Sequence, residues 1–204
     1  MNHYKDKEWL EHVARNCMLH GSFHPDIGLF NGRMGMVLFY FHYAHYTGNS
    51  LYEDFAMELL ESIYEEISVE TPIGLARGLC GIGWGILHLH NHHFIEGFID
   101  ETLVDVDRKI SEYHLLRMND LSLESGFEGI ALYLSSRLVD STNFDKDYKE
   151  EFKQKCMVTG WQKPISSLKI VLKKMNEYIP DATVDSWQKG LIYLCEHEEI
   201  VCYQ

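Results

Sequence analysis

Apolar residues recur at helical spacing along nearly the whole chain, and strand-like alternation is scarce. Three runs, Met36–Tyr46, Ile82–Leu89 and Ile130–Leu138, are apolar almost all round. That pattern predicts helices buried on more than one side. Between them lie two-faced segments. Over 51–67, Leu51, Phe55, Leu59, Ile63 and Ile67 form a stripe, while Glu53, Asp54, Glu58, Glu61, Glu65 and Glu66 occupy the other faces. Ile99, Leu103, Val106, Ile110 and Tyr113 form a second stripe, with Asp100 as its expected N-cap, and Tyr148, Phe152 and Cys156 form a weaker third. Lys7–Met18 and 168–179 read as further two-faced helices, and 187–194 as a decayed helix of the buried kind. The fold class predicted is all-α.

The buried runs are each preceded by Leu-x-x-Gly-x-x-Gly: Leu29–Gly35, Leu75–Gly81 and Leu123–Gly129. Their first glycines are 46 and 48 residues apart, so the chain reads as a repeat of helical hairpins. One buried and one half-buried helix per repeat implies an inner and an outer layer, either stacked as a solenoid or curled into an α/α toroid. Glycine at each inner entrance favours the toroid, because it permits close backbone approach and tolerates the entry turn. The expected organisation is a single domain, 1–204, with repeats at about 21–67, 68–115 and 116–160 and a degenerate fourth at 161–204. Register is lost around Cys156–Ser167. Three clear repeats plus a remnant make an incomplete ring, whose apolar end faces need cover from a homodimer, a partner chain, or the terminal helices 7–18 and 187–202.

Composition narrows the class. The 204 residues are 46% hydrophobic and 24% charged, enough for a sizeable core. Eighteen Lys+Arg against thirty-one Asp+Glu leave a net charge of −13. This argues against nucleic acid and anionic lipid as partners and is compatible with a basic peptide. No apolar run is long enough to span a bilayer, and residues 1–8 lack the apolar core of a signal peptide. Five cysteines, Cys17, Cys80, Cys156, Cys195 and Cys202, form no paired framework. A cytoplasmic setting is expected.

The run Gly78-Leu79-Cys80-Gly81-Ile82-Gly83-Trp84-Gly85, followed by Phe94-Ile95-Glu96-Gly97 and taken with the first and third glycine motifs, resembles the lanthionine synthetase C-like family. The resemblance covers roughly 25–140 well. It implies a double-layered α toroid whose inner helices open on Gly-x-x-Gly. It also implies a zinc ion that activates a peptide cysteine for addition to a dehydrated Ser or Thr, closing a thioether. The family's zinc ligands are a Cys in a Gly-Trp-Cys segment and a Cys-His pair before glycine. Here Gly160-Trp161 is followed by Gln162, and Cys195-Glu196-His197 carries an inserted residue and no following glycine.

The candidate ligand-binding residues, at the expected ring mouth, are His24, Asp26, Arg33, Arg77 and Glu128. His24 and Asp26 can act as a base and its orienter or simply make local capping bonds. Arg33, Arg77 and Glu128 can contact a peptide or bridge helix ends, and the bridging role is favoured. His88 and His92 share a helix face at i, i+4, a spacing that suits zinc, but no third donor is close in sequence. Cys195 and His197 are splayed by their i, i+2 spacing. Cys80, near a helix start, is read as small core packing. No catalytic residue, metal site or cofactor is assigned. The function expected is a non-catalytic peptide-binding or scaffold component in maturation of a ribosomally made peptide, with that peptide or its modifying enzyme as partner. The alternatives are a zinc-dependent peptide cyclase and, more weakly, a carbohydrate-active α/α-toroid enzyme.

Overall fold

The computed structural model describes residues 3–138, 141–179 and 185–197, with side chains from residue 6 onward. Cys202 and the 198–202 end of the expected terminal helix lie outside the described residues. Every regular element among the described residues is helical. The chain divides into two compact units, one formed by 1–67 with 168–204 and the other by 68–167.

In the first unit, α1 (His3–Gly21) is followed by α2 (Arg33–Thr47) and α3 (Ser50–Glu66). Every residue of α2 from Arg33 to Ala44 is buried, the polar Arg33 and His42 included, as a run apolar almost all round requires. Gly48, at φ +67°, ends the helix in the left-handed region and donates its N–H to the Ala44 carbonyl. The Asn49 side chain then accepts from the Leu51 N–H at 3.1 Å and starts α3, so the hairpin turn is written in two residues. Only Ala56, Leu59, Leu60 and Ile63 of α3 are buried, which leaves its carboxylates in water.

Two later helices complete this unit: α9 (Ser167–Glu177), which begins at the unit's edge, and α10 (Trp187–His197). α10 packs on α2. A Cβ on Gly35 would stand 2.2 Å from the Trp187 ring, and one on Gly190 would stand 2.6 Å from the Phe39 ring. Close approach through glycine on both helices marks α10 as an inner helix that has lost its glycine motif. α1 lies against the same helix, where Tyr40 donates its hydroxyl to the Ala14 carbonyl at 2.7 Å.

The second unit holds α4 (Leu79–Asn91), α5 (Ile99–Thr102), α6 (Val104–Ser111), a 3₁₀ turn at Leu115–Arg117, α7 (Phe127–Arg137) and α8 (Lys146–Thr159). α4 and α7 pack on each other, with Gly83 opposite the Tyr133 ring. The expected continuous helix over 99–113 is instead two, broken at the buried Leu103. Asp100 is not the N-cap. Phe98 holds that position, and the Asp100 carboxylate is taken up by Arg137 and Thr142. In chain order α7 is followed by two two-faced helices, α8 and α9, before α10. This missing buried helix is the physical content of the register lost around Cys156–Ser167.

Candidate functional site

Each glycine motif builds the same device at the entrance to a buried helix. The first backbone N–H of α2, at Arg33, donates to the Asp26 carbonyl at 2.8 Å. The Leu79 N–H of α4 donates to Pro72 at 2.8 Å, and the Phe127 N–H of α7 to Asp120 at 2.9 Å. Amides at this position ordinarily have no partner within the helix. Here a carbonyl six residues before the first glycine folds back over the helix end. It takes the space a side chain would need: a Cβ would lie 2.6 Å from the Asp26 oxygen at Gly32, 2.0 Å from Pro72 at Gly78 and 2.6 Å from Asp120 at Gly126. The three glycines have φ of −123°, −131° and −100°. They are extended residues chosen for lack of volume, not for a left-handed turn. The second glycines at 35 and 129 are equally crowded, by the Leu29 and Leu123 carbonyls at 2.3 and 2.2 Å.

This geometry places the candidate residues. Asp26 Oδ1 accepts from the Gly28 N–H at 2.8 Å, an Asx turn that aims its own carbonyl at the helix. Asp120 does the same with the Ser122 N–H at 2.8 Å, and Pro72 presets the turn in the second motif. The His24 ring lies 3.3 Å from the Asp26 backbone nitrogen and the same distance from its carbonyl. His24, Asp26 and Arg33 thus meet at one entrance. The buried Arg33 side chain crosses to the far end of α3, where it donates to Ser62 Oγ at 2.9 Å and pairs with Glu66. Arg77 and Glu128 are exposed at the other two entrances, Arg77 just before Gly78 and Glu128 in the first turn of α7.

A fully buried charged group in the second unit is absent from the candidates above. Asp107 on α6 is 0% exposed. Its carboxylate accepts from Arg137 Nε at 2.9 Å and Asn143 Nδ2 at 2.9 Å, and from the Tyr133 hydroxyl. Arg137 Nη1 also pairs with Asp100 at 2.5 Å. Burial, together with the neighbouring Asp107 charge, pushes the Tyr133 hydroxyl well above its ordinary value. Partial burial opposes ionisation of Asp100, but hydrogen bonds from Thr142 and Arg137 win and hold its carboxyl low. Its contribution to stability is therefore present above about pH 4 and lost as pH falls through the lowered value. The signal was available: Asp107 stands on the Leu103–Ile110 stripe, where an apolar residue belongs.

The imidazoles form a stack. The His88 ring lies 5.4 Å from Trp84 and 4.0 Å from His92, and His92 Nδ1 lies 2.8 Å from the His88 carbonyl at the end of α4. His197 stacks on Tyr193 at 4.2 Å, with Nδ1 2.9 Å from the Tyr193 carbonyl. Among the described residues, no three His, Cys, Asp or Glu side chains converge to hold a metal ion. Burial raises the thiol of Cys80 well above its ordinary value and that of Cys17 to about 11. Gly160 is the left-handed cap of α8 at φ +72°, and Trp161 packs edge-on to Phe152. The donor set that zinc would require does not fit these residues.

Paired buried and two-faced helices, opened by a carbonyl seated on glycine, define an all-α protein of repeated helical hairpins. The family model for lanthionine synthetase C-like proteins matches residues 24–178, and the chain belongs to that family. No curated protein and no solved structure matches it. No helix among the described residues is long and apolar enough to cross a membrane.

Proposed function

We propose that this chain is a non-catalytic, peptide-binding or scaffold member of its family, acting in the cytoplasm in the maturation of a ribosomally made peptide. The observation that carries the reading is the substitution of the two segments that resemble the family's zinc sites. Gln162 follows Gly160-Trp161 where a ligand cysteine is implied, and Glu196 separates Cys195 from His197. The family's helix entrances are retained, while these two segments lack the ligands that the resemblance implies. His24, Asp26 and Arg33 serve the entrance itself, and Arg77 and Glu128 remain exposed beside the loops. The net charge of −13 favours a basic peptide over an acidic one.

Native mass spectrometry with one equivalent of zinc, combined with a thiol count on dehydrated cysteine-containing basic peptides, tests this. Cyclisation adds S–H across a double bond without a mass change, so the readout is loss of an alkylatable thiol. The expected result is peptide retention by the chain, no stoichiometric zinc and an undiminished thiol count. Stoichiometric zinc with thiol loss would establish the cyclase instead.

A further inference from the structure

Among the described residues Cys17, Cys80, Cys156 and Cys195 form no disulfide, but their surroundings differ. Burial raises the first three thiols, which keeps them protonated and inert. Cys195, half-buried on α10, instead has its Sγ 3.9 Å from Nε2 of His42, an imidazole on α2 with 0% exposure. α10 packs on α2 through Gly35 and Gly190, and that close approach brings the two side chains together from positions 153 residues apart. We propose that Cys195 and His42 form a thiol–imidazole pair that undergoes thiol–disulfide exchange with small disulfides.

The step balances with the disulfide as the only co-reactant. His42 Nε2 takes the Sγ proton as the sulfur attacks one sulfur of the disulfide. The disulfide bond breaks, a mixed disulfide forms on Cys195, and the departing thiolate recovers the proton from the imidazolium. Cys195 is oxidised and the departing half of the reagent reduced, two electrons in all. A buried base at the sulfur lets exchange proceed below the ordinary thiol range. α1, α3 and α10 all pack on α2 and all carry ionisable side chains, among them Asp6 and Glu11 on α1, Tyr52 on α3, and Tyr193, Glu196 and His197 on α10, with His45 and Tyr46 on α2 itself. The Tyr193 hydroxyl donates to Asp6 at 3.4 Å. The pair stands apart from the helix entrances; Cys195 itself belongs to the Cys195-Glu196-His197 segment discussed above, and the inference rests on the reading that this segment holds no zinc.

The test treats the full chain with substoichiometric 4,4′-dithiodipyridine, a neutral disulfide, and locates the capped residue by peptide mass mapping. It is done in a Cys202→Ser background, because Cys195 and Cys202 follow the same last lysine, Lys189. The expected result is capping of Cys195 about tenfold faster than Cys17, Cys80 or Cys156, falling less than tenfold between about pH 8 and 6. His42→Gln is expected to slow capping about tenfold and to steepen the profile toward the roughly tenfold-per-unit fall of an unassisted thiol. Thermal melts check that this variant folds. If it does not, the pH profile with His42 intact decides alone. Capping of Cys195 no faster than Cys156, or a tenfold loss per pH unit with His42 in place, would overturn the proposal.

Discussion

Asp107→Ala is expected to destabilise the second unit by about 3–5 kcal/mol, the cost of leaving a buried guanidinium without its main counter-ion. Arg137 is 3% exposed and directs Nε and Nη2 at the Asp107 carboxylate, with Asp100 as its other ion-pair partner among the described residues. Removing the carboxylate also strips the acceptor from the Tyr133 hydroxyl and one of two acceptors from Asn143 Nδ2. A loss of this size is a large fraction of the roughly 5–15 kcal/mol that holds an ordinary domain folded. The double variant Asp107→Leu/Arg137→Met should recover part of it, because an apolar pair carries no unpaired charge. Urea unfolding of the three proteins makes the comparison. A loss below about 1 kcal/mol for Asp107→Ala would show that the cluster is not holding α6 to α7.

Gly78→Ala is expected to cost about 3 kcal/mol, from overpacking against backbone that has nowhere to go. Its Cβ would lie 2.0 Å from the Pro72 oxygen and 2.9 Å from the Gly74 nitrogen. Relief requires breaking the hydrogen bond from Leu79 to Pro72. Gly48→Ala is the control: its φ of +67° is strained for alanine, yet no atom lies within 4 Å of the new Cβ. That change should cost only about 1–2 kcal/mol. If glycine were selected at the entrances for backbone freedom, the order would reverse. Thermal or urea melts of the two single variants separate volume from conformation.

The hairpin plan was legible because two periodicities alternate along the chain. A run such as 82–89, apolar on every face, has no stable place except between other helices, and 51–67 shows its one dry stripe directly. What periodicity cannot show is where a backbone carbonyl goes. The entrances depend on oxygens six residues before Gly32, Gly78 and Gly126, and any residue supplies a carbonyl. The available trace was the Asp, Pro and Asp at 26, 72 and 120, all turn formers at one repeat position. The sequence leaves Asp26 between the orienter of a base and a local capping residue, and its side chain makes the local bond that bends the loop. The break at Leu103 was hidden because the stripe runs unbroken through it, and the ion pair of Asp100 with Arg137 beside it joins residues far apart in sequence. Cys195 and His42 are invisible as a pair in a linear reading, being joined only by the packing of α10 on α2.

Hydrogen exchange at the first amides of the three buried helices tests the repeated entrance most directly. The N–H groups of Arg33, Leu79 and Phe127 would exchange as open helix ends do if water were their only acceptor. With the Asp26, Pro72 and Asp120 carbonyls seated on them, all three are expected to show protection comparable to amides in the following turn. Rapid, unprotected exchange at these amides while the helix bodies stay protected would contradict the account.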